Sequence, residues 1–159
     1  MQVLAEQKRG LLEKWLERTM ATYPSQTLRF LHSEKDRFRN PVGHTLREGL
    51  ATLLDELTGE MDAAKMGPAL ESIVRLRAVQ DFTPSQAVGF VYLLREIFQE
   101  ELAGREPPDV QKRIDEIALR AFDLFMKCRE EIYEIKAREA QRKLYVLERL
   151  SQRARGESL

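Results

Sequence analysis

The strongest limit on the fold comes from the end of the chain. The break "AGREPPD" is followed by a helical pattern that continues to about Arg153, with Asp109 placed to cap it. That is roughly 45 residues, or about 65 Å at 1.5 Å per residue. Such a helix is longer than a compact domain of this size needs. The fold must therefore be a helical body plus one helix that outruns it. The first half of the segment is strongly apolar, with Ile114, Ile117, Phe122, Leu124 and Phe125. The second half thins to Ile132, Ile135, Ala140, Leu144, Leu147 and Leu150 among charges. Ala118, Ala121, Phe125, Cys128, Ile132 and Ile135 recur in steps of three and four, a short coiled-coil-like seam.

The remaining sequence also reads as helix. A first helix is predicted from about Gln2 to Thr22, with Leu4, Leu11, Leu12, Trp15, Leu16 and Met20 on one face. Pro24 ends it, and Leu28, Phe30 and Leu31 suggest a short helix or turn. The charged stretch from Ser33 to Asn40 reads as a surface connection. Asn40-Pro41 is a start signal, an Asn cap with Pro at the first helical position. Leu46, Leu50, Leu53, Leu54 and Leu57 form the stripe of the helix that follows, and Gly59 is placed to end it. "MGPALESIVRLRAVQ" restarts at Gly-Pro, with Ala69, Ile73, Leu76 and Val79 facing inward. In "DFTPSQA", Thr83, Pro84 and Gln86 make a capping box, with Phe82 before the cap and Ala87 as a weak staple partner. The next helix buries Phe90, Val91, Leu94, Ile97 and Phe98.

At 159 residues the chain suits one domain with a buried core. Its 26 basic and 26 acidic residues give no general pull toward nucleic acid or an anionic membrane. One cysteine excludes an internal disulfide framework. No apolar run is long enough to span a bilayer, and the N-terminus is charged throughout, unlike a signal peptide. The expected setting is the cytoplasm, without membrane insertion or nucleic-acid binding.

Little in the sequence carries chemistry. His32 lies in a charged loop or helix end, and His44 shares a face with Glu48, Ala51 and Asp55, opposite the leucine stripe. Neither faces the apolar pocket that a haem ligand needs, so they are weak candidates. No His or Cys pair has metal-ligand spacing. Cys128 on the seam reads as a core or interface residue. The pairs Glu100-Glu101 and Glu130-Glu131 belong to solvated faces. Nucleotide-binding and nucleophile signatures are absent, so no enzyme and no cofactor are expected. Arg138 to Arg155 holds six basic and two acidic residues, best read as a solvated helix face. Arg75 and Arg77 cannot share one face; one is expected to be partly buried in an ion pair and the other exposed. Arg77, Gln80, Phe82, Thr83, Pro84 and Ser85 form a corner that is either a hinge or the wall of a pocket. The hinge is the favoured reading.

Three stretches carry a family resemblance: "KWLERTMATYP", "FRNPVGHTLREGLATLLDELTGE" and "ALESIVRLRAVQDFTPSQAVGFVYLLREI". Together they resemble the N-terminal domain of the RsbRD type, the sensory half of the RsbT co-antagonists of the bacterial stressosome. The resemblance implies a haem-free, globin-like, dimeric signal-input domain. In that family a linker helix leads to a STAS domain bearing phosphorylated threonines. The fifty residues after Pro108 leave no room for one, so those sites are not carried over and a free-standing sensory or docking domain is implied.

The expectation is thus an all-α, globin-like helical domain with a long C-terminal helix. Residues 1–108 form the core. Residues 109–155 form the helix, packed in its first half and projecting in its second, and 156–159 form a disordered tail. Function is expected as a non-catalytic sensor or input module, a homodimer with an unknown signalling partner. Leu12, Trp15, Ala118, Ala121, Phe125, Cys128, Ile132 and Ile135 are the candidate dimer interface. The alternatives are a ligand- or haem-binding sensor using His32 or His44, and an assembly subunit that docks through its C-terminal helix.

Overall fold

Residues 5–156 are described in the computed structural model. The expected start at Gln2, Leu4 and most of the expected tail lie outside these residues. The elements are α1 (Ala5–Met20), α2 (Ser25–Ser33), α3 (Pro41–Leu57), α4 (Ala63–Val79), α5 (Pro84–Val88), a 3-10 turn (Gly89–Val91), α6 (Leu93–Leu102) and α7 (Val110–Ala154). The architecture is all-α, with no strand among the described residues.

The α3 start is the one that Asn40-Pro41 signals. The Asn40 side chain accepts from the Gly43 amide at 2.9 Å and donates to the carbonyls of Leu31 (3.2 Å) and Glu34 (2.9 Å). One buried amide thus starts α3 and closes the end of α2. A Cβ at position 43 would lie 2.4 Å from Asn40 Nδ2, so the cap requires glycine there. The α4 start differs from expectation. Asp62, not Gly67-Pro68, opens the helix by accepting from the Ala64 amide at 2.9 Å, and Pro68 sits inside it. Along α4 the inward face is Leu70, Ile73, Val74, Arg77 and Ala78; Val79 is exposed. Asp109 occupies the cap position of α7 but in a left-handed conformation, and its side chain makes no capping bond.

The helices close around one apolar core. α3 and α4 pack as a pair, α1 lies against α3 and α6, and α7 lies against α4 and α5. Trp15 of α1 is fully buried; its indole N–H donates to the Phe90 carbonyl at 2.7 Å and its ring stacks on Phe90. Ion pairs rim the α1 contacts: Arg47–Glu13 at 2.6 Å, Lys8–Asp55 at 3.4 Å, and Lys14–Glu101 and Arg18–Glu100. Such exposed pairs each contribute little, so the apolar core dominates stability.

Burial along α7 runs from Val110 to Cys128, with Ile132 partly covered; from Tyr133 to Ser151 every residue is exposed. This corrects the expected interface. Trp15, Ala118, Ala121, Phe125 and Cys128 are consumed by the chain's own core, and Leu12 and Ile132 pack against it. The seam is coiled-coil-like because α7 lies on α4 and α5, not because a second chain must cover it. Of the expected set, Ile135 is openly exposed.

α3 and α4 approach closely at Gly49. A Cβ there would stand 2.7 Å from Ile73 Cδ1 and 3.2 Å from the Ala69 carbonyl. Gly49→Ala would gain about 1 kcal/mol of helix propensity, but overpacking of this kind costs about 1–3 kcal/mol. The net expectation is a destabilisation of about 1 kcal/mol or more in urea unfolding. A more stable variant would show that α3 and α4 have slack at this point.

Candidate functional site

The corner between α4 and α5 is built around Arg77. Its position follows from spacing: it lies four residues after Ile73 and three after Val74, on the inward face of α4. The side chain is fully buried. Nε donates to the Ala87 carbonyl at 2.8 Å, Nη2 to the Gln86 carbonyl at 2.7 Å and Nη1 to Thr22 Oγ1 at 3.2 Å. No carboxylate among the described residues pairs with it. Three aromatic faces surround the guanidinium instead, with ring centroids at 4.3 Å (Phe82), 5.4 Å (Phe90) and 5.5 Å (Tyr23). The expected division of the two arginines is therefore reversed in chemistry. Exposed Arg75 makes the ion pairs, with Glu71 at 2.8 Å and Glu131 at 3.2 Å, while buried Arg77 makes none.

The capping box at the corner is present as the sequence implies. Thr83 Oγ1 accepts from the Gln86 amide at 3.3 Å, and Gln86 Oε1 accepts from the Thr83 amide at 3.0 Å. Thr83, Pro84 and Ser85 are exposed on the outside of the turn. Beside them a cleft of about 560 Å³ is lined by Thr22, Tyr23, Pro24, Thr27, Gln80 and Phe82, among others. The structure thus brings Gln80 and Phe82 to one cleft with Arg77 behind it, and leaves Thr83, Pro84 and Ser85 off its wall. Asp81, in the turn, takes a left-handed φ of 41°. Tyr23 and Thr22 were not read as corner residues, because nothing local ties the end of α1 to α5. Tyr23 packs edge-on to Phe82 at 5.4 Å, and its buried hydroxyl meets no partner at hydrogen-bonding geometry. Burial pushes the Tyr23 phenol above its ordinary value, partly offset by Arg77. Burial likewise lowers Arg77 from the usual arginine value, partly offset by Tyr23.

His32 and His44 come together in a second place. Both line a cleft of about 500 Å³ between α1, α2 and α3, with Glu13, Glu17, Glu34 and Arg47. His44 Nε2 lies 3.1 Å from Glu48 Oε2. The walls are mixed, with these charged groups beside the buried side chains of Leu16, Met20 and Leu31. Among the described residues, no group of three or more His, Cys, Asp or Glu side chains could hold a metal ion. Cys128 is buried, and burial raises its thiol pKa, with Arg75 partly offsetting. That is the setting of an inert thiol rather than a reactive thiolate.

Arg77 ties α4 to α5 through the Gln86 and Ala87 carbonyls, and to the end of α1 through the Thr22 hydroxyl. Arg77→Ala is expected to cost about 3 kcal/mol or more in urea unfolding, from orphaned carbonyls and a lost aromatic sandwich. Arg77→Lys should recover only part of the loss, since one ammonium cannot reproduce the fork. Tyr23→Phe is expected to change stability at neutral pH by no more than about 0.5 kcal/mol, because the hydroxyl makes no such bond. A phenol with a raised folded pKa contributes stability that is complete below its unfolded value of about 10 and is lost as pH rises through the folded one. Tyr23→Phe should remove that alkaline loss.

Comparison with known proteins follows the same division of the chain. No solved structure matches it. A protein of Archaeoglobus fulgidus, described only as uncharacterized, is 22% identical over 148 residues, covering 90% of this chain and 91% of its own length. No helix among the described residues is long and apolar enough to cross a membrane. The model of one family, the RsbT co-antagonist protein rsbRD N-terminal domain, matches residues 9–140, from α1 through the core and past the buried part of α7. The chain belongs to that family.

Proposed function

We propose that this chain is a non-catalytic signal-input or docking module that works as a dimer. The observation that carries the reading is the family match over residues 9–140, which includes both the core and the first turns of the projecting helix. The corner supplies a route between the two. Arg129 of α7 donates to the Ala78 carbonyl at 2.9 Å, directly beside Arg77, and Arg75 bridges to Glu131 on α7. A change in the aromatic packing around Arg77 would therefore bear on α7 at the point where it leaves the core.

A second reading rests on the cleft that holds His32 and His44: a sensor that takes a small ligand there. Haem is the less favoured occupant, because Glu13, Glu17, Glu34 and Arg47 share the wall with Leu16, Met20 and Leu31, where a porphyrin wants an apolar pocket throughout. A Soret band on haem titration, lost in His32→Ala or His44→Ala, would support haem; no band would remove it from consideration.

The principal reading is tested by amide hydrogen exchange on Phe82→Ala. This change opens one face of the Arg77 site without touching α7. The expected result is faster exchange in α7 near Arg129 to Ile132, beyond any change near Val110 to Ile114. Equal protection along α7 in both proteins would show that the corner and the helix are uncoupled.

A further inference from the structure

We propose that the cleft at the corner of α4 and α5 is a binding site for a small organic carboxylate with a ring-sized apolar body, held by Arg77, Tyr23 and Gln80. The proposal rests on the signal-input reading above and names where the input enters and what chemistry it has.

The corner holds more hydrogen-bonding capacity than its own residues use. An arginine carries five N–H groups. Three of those on Arg77 reach oxygens, on Ala87, Gln86 and Thr22. Two therefore have no oxygen partner among the described residues. The Tyr23 hydroxyl and Gln80 Oε1 are buried without a partner as well, and both residues line the cleft. Each buried polar group left in this way is costly. One ligand in the cleft would satisfy all three residues together.

Charge fixes the sign of that ligand. Arg77 is fully buried, and carbonyls and ring faces give it only dispersed negative charge. An anion arriving through the cleft supplies a full counter-charge. Unlike a resident carboxylate, it can also leave, which an input requires.

The way in is at Thr22, which is exposed. Its hydroxyl accepts from Arg77 Nη1 at 3.2 Å, the longest of the three arginine bonds, and donates to the Thr19 carbonyl at 2.6 Å. Releasing Nη1 leaves the hydroxyl its shorter bond. The ligand carboxylate takes Nη1 in its place and accepts from the Tyr23 hydroxyl. Gln80 Oε1 accepts a hydroxyl or amino proton from elsewhere on the ligand. The rings of Tyr23 and Phe82, edge-on at 5.4 Å, and the side chain of Pro24 offer apolar contact. A cleft of about 560 Å³ is within the usual size of a small-molecule site. One group opposes binding: the exposed Asp81 carboxylate also lines the cleft and repels an anion.

The test is a titration of the full chain with para-hydroxybenzoate, followed in amide NMR spectra, with para-hydroxybenzamide as the uncharged isostere. The acid should give saturable shifts at Thr22, Tyr23, Gln80 and Phe82, with a midpoint of about 10 mM or lower. The amide should give none. Tyr23→Phe, whose stability at neutral pH is expected to be nearly unchanged, should weaken the acid by at least about tenfold. Asp81→Asn, which suits a left-handed conformation, should tighten it. The proposal is overturned by equal binding of acid and amide, by shifts confined to the cleft of His32 and His44, by the absence of a saturable shift, or by undiminished binding to Tyr23→Phe. Binding that leaves exchange along α7 unchanged would keep the site and remove its link to α7. Coupling of Phe82→Ala to α7 with no binding of the acid would remove the site and keep the signal-input reading.

Discussion

The structure depends on a buried guanidinium that has no carboxylate partner. A charge taken out of water needs compensation, and an acidic residue at this point would have added its own desolvation penalty. Arg77 is compensated by dispersed negative charge instead: two backbone carbonyls at the end of α5 and the faces of Tyr23, Phe82 and Phe90. Those partners come from the end of α1, the turn before α5 and the 3-10 turn after it. One side chain on α4 therefore fixes elements that are distant in sequence. Trp15 strengthens the same junction from the other side, since Phe90 receives its indole N–H and also lends its ring to Arg77.

Arg77 is one of three arginines with a common role. The last carbonyls of any helix lack partners within it. Arg77 serves those of α5, Arg113 serves Leu57 and Gly59 at the end of α3 at 2.9 and 2.7 Å, and Arg129 serves Ala78 at the end of α4. These three helices, α3, α4 and α5, end without the glycine in left-handed conformation that usually closes such ends, whereas Gly104 and Gly156 take it after α6 and α7. At the end of α3 the left-handed residue is Met61, not Gly59. Long-range arginines do the closing, so helix termination and tertiary packing are one event in this fold.

Local chemistry was legible in the sequence and long-range chemistry was not. Asn40-Pro41 and the Thr83, Pro84, Gln86 box specify their own partners within three residues, and both form as written. The leucine stripe of α3 and the apolar run of α6 follow from period alone. The seam of α7 was visible too, but its occupant was not, because periodicity says that a face is covered and not by what. Arg77 could have been placed by its spacing from Ile73 and Val74; its charge argued the other way. Tyr23 gave no signal, since its role depends on a ring more than fifty residues away. The His32 and His44 cleft was hidden for the same reason: α2 and α3 each carry one histidine, and only the Asn40 junction sets them side by side.

The two arginines on α7 have a mechanical meaning. Arg113 and Arg129 grip the ends of α3 and α4 at points about 24 Å apart along the helix, at 1.5 Å per residue. Sliding α7 by one residue would move both side chains by that rise and swing them about 100° around the axis, breaking both grips together. α7 is held against translation like a rule pinned at two marks. Beyond Arg129 the remaining ties among the described residues are weaker, the half-exposed Arg75–Glu131 ion pair and the partly covered Ile132. Whatever the body of the molecule transmits to the projecting half must leave as a tilt or a twist about that last anchor, and never as a piston stroke.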